Sequence, residues 1–332
     1  MSGNLVAVFY ARETGYEGKV ALEWQGAPAC TFGDLPGRVG QYKAALCQLG
    51  VGRGDRVMVK AETSPAFVFT YLAVLATGAT FVPINTAYTA AEVAVLVEDA
   101  DPVLLVHAAA TAMPPARDCL ARVTLESDGS GSLSVLAERV KPDLAVEDMA
   151  ASDLAAILFT SGTTGRPKGA MLMHGNLSSN VAALYETWRF SDADSILHTL
   201  PLFHAHGLFV ALHLGLYSAA TVKMLAKFDA VRVASLLPTV SVFMGVPTFY
   251  ARLLGDAGFD RDAAAAIRLF ISGSAPLNPA VFAAFEERTG HRILERYGMT
   301  EAVMITSNPY APEGRIPGTV GCLPLPHRPQ EA

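Results

Sequence analysis

Cysteine is scarce in this chain. Cys30, Cys47, Cys119 and Cys322 are scattered over 332 positions with no Cys-x-x-Cys pair, which argues against a zinc site or a disulfide framework and fits a reducing compartment. Positive charge is not in excess either. Lys and Arg number 25 against 31 Asp and Glu, a net charge of -6 with the two signs interspersed. Such a surface offers no polybasic footprint to nucleic acid or to an anionic membrane. Apolar runs long enough to span a bilayer are also missing: the longest, 66–76 and 208–220, are broken by Thr70, Tyr71 and His213 and are expected to be buried helices. At the amino terminus Asn4, Arg12, Glu13 and Glu17 surround one short apolar patch. That is neither the hydrophobic core of a signal peptide nor an arginine-rich transit peptide, so a cytoplasmic protein is expected. The nucleophile patterns Gly-x-Ser-x-Gly and Ser-x-x-Lys do not occur.

About half of the residues are apolar, enough at this length for a substantial core shared among two or three subdomains. Residues 20–24 and 30–32 read as a hairpin, and Asp34 is placed to cap a helix reaching 49 and stopping at Gly50. Strands at 55–61, 81–84 and 103–106 alternate with helices at 65–76 and 90–98. Between 108 and 134 the pattern lapses into surface loop or short edge structure. A second series starts at Leu154, with strands near 195–200, 221–225, 242–245, 267–272 and 292–294 and helices at 174–185, 207–217, 229–237, 247–254 and 278–289. Alternation of this kind implies crossover units. The expected fold is α/β, two doubly wound, mostly parallel sheets packed in layers, with a first subdomain over 1–152 and a second over 153–312.

One stretch is unusual in its order. Ile157-Leu158-Phe159 reads as a buried strand, and it runs into Thr160-Ser161-Gly162-Thr163-Thr164-Gly165-Arg166-Pro167-Lys168-Gly169. The glycines let backbone N–H groups converge on an anion, the hydroxyls add donors, and Lys168 adds a full charge. This is a phosphate loop by composition and not a P-loop, because the only Gly-Lys pair, Gly18-Lys19, is followed by Val20. In wound sheets ligands lie beyond the carboxyl ends of strands, and this loop and the turns after Ser272 and Leu294 all have that position.

Two further motifs follow strands: Gly273-Ser274-Ala275-Pro276-Leu277 and Glu295-Arg296-Tyr297-Gly298-Met299-Thr300-Glu301. With the phosphate loop they resemble, in order and spacing, the AMP-forming acyl-CoA synthetases of the adenylate-forming superfamily. Thr31-Phe32-Gly33-Asp34-Leu35 and the run from Leu75 to Asn85 look like two earlier motifs of that family, and the resemblance extends from about Val20 to Pro326. It implies that Thr160, Ser161, Gly162, Thr163, Thr164, Gly165 and Lys168 hold the β- and γ-phosphates of ATP. Ser274, Ala275, Pro276, Glu295, Tyr297 and Gly298 would line the adenine and ribose slot, Thr300 would contact the α-phosphate, and Glu301 would hold Mg²⁺. Lys168, Thr300 and Glu301 would be the catalytic groups.

Pro201-Leu202-Phe203-His204-Ala205-His206-Gly207, the arginine before Tyr-Gly-Met-Thr-Glu, and the segments 306–310 and 315–321 look like the malonyl-CoA synthetases within that family. The resemblance implies an ATP-dependent ligase that activates malonate as an acyl-adenylate and passes it to CoA. Arg296, with His204, His206 and Ser272, would bind the acid. A planar guanidinium fork suits a second carboxylate; the competing reading is that Arg296 pairs with Glu295 or Glu301 as structure. His204 and His206 have the spacing of two metal ligands, but no third ligand stands nearby in sequence, which favours pocket lining. Methylmalonate or another short acid is the alternative substrate, and a catalytically silent nucleotide-binding fragment the alternative role. Family members continue into a ribose-binding aspartate, a hinge and a lid bearing a lysine. Here the last aspartate is Asp262, the last lysine is Lys227, and 327–332 departs from the family. A chain truncated within the start of a barrel subdomain, 313–332, is therefore expected, keeping much of the ATP and acid pocket but forming the thioester poorly or not at all.

Overall fold

The computed structural model describes residues 2–115, 120–160 and 167–322. The first half runs α1 (Leu5–Glu13), β1 (Val20–Trp24), β2 (Ala27–Thr31), α2 (Leu35–Gln48), β3 (Arg56–Lys60), α3 (Pro65–Ala76), β4 (Thr80–Pro83), α4 (Ala90–Ala100), β5 (Leu104–His107), β6 (Ala121–Thr124), α5 (Ser132–Arg139) and β7 (Leu154–Thr160). The second half runs β8 (Lys168–Met173), α6 (His174–Thr187), β9 (Ser195–His198), a π-helical turn (His206–Leu212), α7 (His213–Tyr217), β10 (Thr221–Met224), α8 (Ala230–Leu236) and β11 (Val242–Gly245). It ends with α9 (Pro247–Leu254), α10 (Arg261–Ala264), β12 (Leu269–Ser272), α11 (Pro279–Thr289), β13 (Leu294–Tyr297) and β14 (Thr306–Ser307). The chain divides into two compact units: Met1–Val20, Pro28–Ser178 and Pro201–His204 form the first, and Ala21–Ala27, Ser179–Leu200 and Ala205–Ala332 form the second. No helix among the described residues is long and apolar enough to cross a membrane.

The first unit is built on a six-stranded sheet of order β6-β5-β3-β4-β7-β8. Its strands pair in parallel except β7 with β8, which are antiparallel. Ser64 caps α3 by accepting from the Phe67 N–H at 3.2 Å, with Pro65 at the first helical position. Every residue of α3 after Pro65 is buried, as an all-apolar helix must be. Phe81 of β4 meets Phe67 and Tyr71 of α3 edge to face at 5.7 and 4.9 Å.

Three expectations are corrected here. Asp34 does not cap α2, because its carboxylate turns back to the Thr31 N–H and hydroxyl at 3.0 and 2.8 Å. The strand starting at Leu154 does not open the second sheet. It pairs with β4, Phe81 opposite Ala156, so the break between units falls after Ser178 and not at 152. Lys168 lies not in a loop but at the start of β8, opposite Thr160. Leu172 is the buried residue of β8, while Met171 and Met173 on either side are exposed, the alternation of an edge strand with one covered face.

The second unit's strands run β14-β13-β12-β11-β9-β10-β1, with β2, which begins in this unit, at the edge beside β1. From β1 to β13 every neighbouring pair is parallel, and β14 returns antiparallel. On one side of this sheet Phe243, Tyr250, Phe270 and Phe285 pack edge to face, Phe270 to Phe285 at 4.9 Å and Tyr250 to Phe285 at 5.4 Å, a geometry that favours aromatic rings beyond their buried area. The last long strand lies later than the expected 292–294. Pairing of Ile271 with Leu294 and of Arg296 with Ser307 draws residues 294–297 into the sheet. Arg296 and Tyr297 are thus strand residues and not turn residues.

Candidate functional site

In the second unit, the carboxyl ends of β12 and β13 open into a cavity of about 350 Å³. It is lined by Ser272, Ser274, Ala275, Pro276, Glu295, Arg296, Tyr297 and Gly298, all given a role from the sequence, and by Leu277, Gly318 and Val320, which lie in the quoted motifs but were given none.

Arg296 dominates its electrostatics. The residue is 6% exposed, and its Nε and Nη2 have no hydrogen-bond partner among the described residues. Burial pulls its pKa down to about 10, with Tyr250 acting in the opposite direction. A buried guanidinium with unsatisfied N–H groups is costly to fold around. The pairing with Glu295 or Glu301 considered from the sequence is not made among the described residues: the Glu295 carboxylate accepts instead from the Gly318 N–H at 2.9 Å. Gly273 makes room for the arginine, since a Cβ there would lie 2.3 Å from Arg296 Nε. Ser272 Oγ, also buried, has no partner. Buried donors left without an acceptor among the described residues suit an anion.

Ser274 takes up φ +69, and its hydroxyl lies 3.2 Å from Nδ1 of His206. His206 is the first residue of the π-helical turn and is buried, a type of irregularity common at functional sites. His204 is exposed and lies against the Phe203 ring at 4.6 Å, and neither it nor His206 is among the residues lining the cavity. Among the described residues no group of three His, Cys, Asp or Glu could hold a metal ion. Thr300 and Glu301 occupy the turn between β13 and β14, Glu301 exposed. That turn is tight. A Cβ on Gly298 would meet the Val303 carbonyl, Val303 has φ +57, and Asn180 of α6 donates to the Met304 carbonyl at 3.1 Å.

In the first unit Thr160 and Lys168 face each other across β7 and β8, Lys168 exposed, with the Thr160 hydroxyl 3.4 Å from the Lys168 carbonyl. Ser161, Gly162, Thr163, Thr164 and Gly165 lie outside the described residues. The sequence motifs contain Leu277, Gly318 and Val320 but do not mark them as cavity residues. A signal for Gly318 was present in Arg315-Ile316-Pro317-Gly318, a turn sequence, but nothing local says which strand that turn returns to.

The sequence matches the family described as AMP-binding enzyme over residues 9–329. The chain belongs to that family. Among curated relatives, a malonate–CoA ligase of Arabidopsis thaliana is 37% identical over 300 residues, 82% of this chain and 49% of the relative. A mitochondrial malonate–CoA ligase of Mus musculus is 45% identical over 188 residues, 52% of this chain and 32% of the relative. The ATP-bound structure of MatB from Rhodopseudomonas palustris superposes with a TM-score of 0.92 at 40% identity, over 98% of this chain and 65% of that one. A malonyl-CoA ligase holding methylmalonyl-CoA and AMP gives a TM-score of 0.81 at 30% identity, over 95% of this chain and 65% of that one. The chain spans about half the length of the Arabidopsis thaliana relative.

Proposed function

We propose that this chain is the nucleotide- and acid-binding part of an ATP-dependent malonate–CoA ligase. The observation that carries the reading is the Arg296 guanidinium, buried at the cavity with two nitrogens unpartnered. A dicarboxylic acid supplies what that group lacks: one carboxylate pairs with the arginine while the other is left to react. An acetate or a plain acyl chain offers no second acceptor and leaves the cation desolvated and unpaired, so it is rejected.

The reacting carboxylate attacks the α-phosphorus of ATP, expelling pyrophosphate and forming malonyl-adenylate; CoA thiolate then attacks the acyl carbon and AMP leaves. In this reading Arg296 and Ser272 orient the acid, with His206 behind the cavity-lining Ser274, whose hydroxyl it meets at 3.2 Å. The turn from Ser274 to Pro276, with Tyr297 and Gly298, cradles adenine and ribose. Thr300 donates to the α-phosphate, where charge builds in the transition state. Thr160, Lys168 and the hydroxyls between them neutralise the β- and γ-phosphates. Mg²⁺ would fit Glu301, an exposed carboxylate, because this ion is commonly held by one or two carboxylates together with substrate phosphates. When bound it neutralises phosphate charge.

Separate titrations of malonate and acetate into the native chain and Arg296→Ala test the reading. The native chain is expected to prefer malonate, and the variant to lose about 10- to 100-fold in malonate affinity with acetate little changed. An unchanged preference refutes the role. Methylmalonate is the second candidate acid, favoured by the methylmalonyl-CoA in one structural relative; a third titration ranks it against malonate.

A further inference from the structure

The turn between β13 and β14 carries Thr300 and Glu301, and its shape is demanding. Val303 stands at φ +57, a region unfavourable for a β-branched residue. Within the turn the Ala302 N–H donates to the Met299 carbonyl at 3.1 Å and the Ile305 N–H to the Tyr297 carbonyl at 3.0 Å, and the strand that follows is two residues long. A strained backbone persists only where its surroundings over-determine it, so part of the constraint comes from outside the turn.

It comes from α6, in the same unit. Asn180 Nδ2 donates to the carbonyl of Met304, the residue after Val303, at 3.1 Å. Just past the end of the helix, the buried Trp188 donates its indole N–H to the Ser307 hydroxyl of β14 at 2.8 Å. Two side chains of this segment thus grip the returning limb of the turn. The segment is itself anchored, since Arg268, paired with Asp194, donates to the Trp188 carbonyl at 3.1 Å. Asn180 Oδ1, by contrast, is buried with no partner among the described residues. An unmatched buried acceptor is a cost that a leucine of similar size would not bring. Packing therefore does not explain an amide at this position; its donor does.

We infer that Asn180 is a positioning residue, whose bond to the Met304 carbonyl fixes the turn that presents Thr300 and Glu301. The grip on the turn stands on geometry, while its consequence for the α-phosphate rests on the function proposed above.

The test compares the native chain with Asn180→Leu and Asn180→Gln by two readouts. Amide hydrogen exchange needs no ligand: the Leu variant is expected to speed exchange over 302–305 by about tenfold, and Gln, which keeps an amide donor, to recover most of the protection. The second readout is titration with AMP, which carries the α-phosphate, and with adenosine, which lacks it. The Leu variant is expected to bind AMP about tenfold more weakly with adenosine little changed, so that the preference for AMP falls by the same factor. Exchange over 302–305 left at the native rate overturns the inference. So does faster exchange with a native ratio of AMP to adenosine affinity, because a general loosening weakens both ligands alike. If Asn180→Leu does not stay folded, Asn180→Ala is judged by the same two results. A native chain that does not favour AMP over adenosine sinks the assignment of Thr300 to the α-phosphate, while the exchange result still decides the grip on the turn.

Discussion

Two arginines mark opposite ends of the second unit's sheet, and they are treated in opposite ways. Arg268 lies at the amino end of β12, where its Nε and Nη2 donate to the two carboxylate oxygens of Asp194 at 2.6 and 2.7 Å. The Asp194 carboxylate also accepts from the Ser241 hydroxyl and the Ser191 N–H, and the guanidinium is flanked by Phe190 and Tyr310. Arg296, in β13 at the carboxyl end, has donors with nothing to meet them. The fold can satisfy a half-buried guanidinium where it needs one for structure. Leaving another unsatisfied at the ligand-binding end of the same sheet marks a place where the missing acceptor comes from outside.

The contrast can be broken first at its structural side. Asp194→Ala strands the Arg268 charge, and a loss of about 3–5 kcal/mol is expected in chemical unfolding. Burial by itself would raise the Asp194 pKa, but the Arg268 and Ser241 hydrogen bonds hold it below its ordinary value. Its folded pKa is therefore lower than its unfolded one. The stabilisation is complete above the unfolded value and disappears as pH falls through the folded value, and an acid titration of unfolding should show that part of the dependence removed in the variant.

At the other end, Gly273→Ala pushes a methyl into the guanidinium. An expected destabilisation of about 1–3 kcal/mol accompanies displacement of Arg296, and malonate preference falls with it. A Gly273→Ala chain that keeps full malonate preference would show that the arginine does not need its present seat. The smallest effect concerns the charge itself. With the Arg296 pKa near 10, malonate affinity is expected to stay level from neutral pH to about 9 and to decline as pH passes 10, whereas Arg296→Ala shows no such decline. Titrations at stepped pH check this.

Much of the site was legible because each motif is local. Strand, glycine and hydroxyl order picked out 160–168, 273–277 and 295–301, and the cavity contains members of the last two. What escaped depended on pairing. A two-residue strand such as β14 has no period to detect, so its partnership with Arg296 and Tyr297 could not be read from residues 306–307 alone. The same is true of β8, whose Gly-Ala-Met-Leu-Met looks like a loop leaving a glycine-rich turn until its register with β7 is known. Asp34 shows the converse failure: a good cap residue by type, drawn away by Thr31 three positions earlier.

From its residues alone the chain determined its elements, their alternation, and the chemistry available in each turn, because propensity, capping and hydrophobic period act over a few neighbours. Only the tertiary structure decided which sheet each strand joined, which residues of distant segments share the cavity, and which charged side chain was buried there. Those outcomes depend on contacts between residues far apart in the chain, where burial and pairing are set by what folds against them.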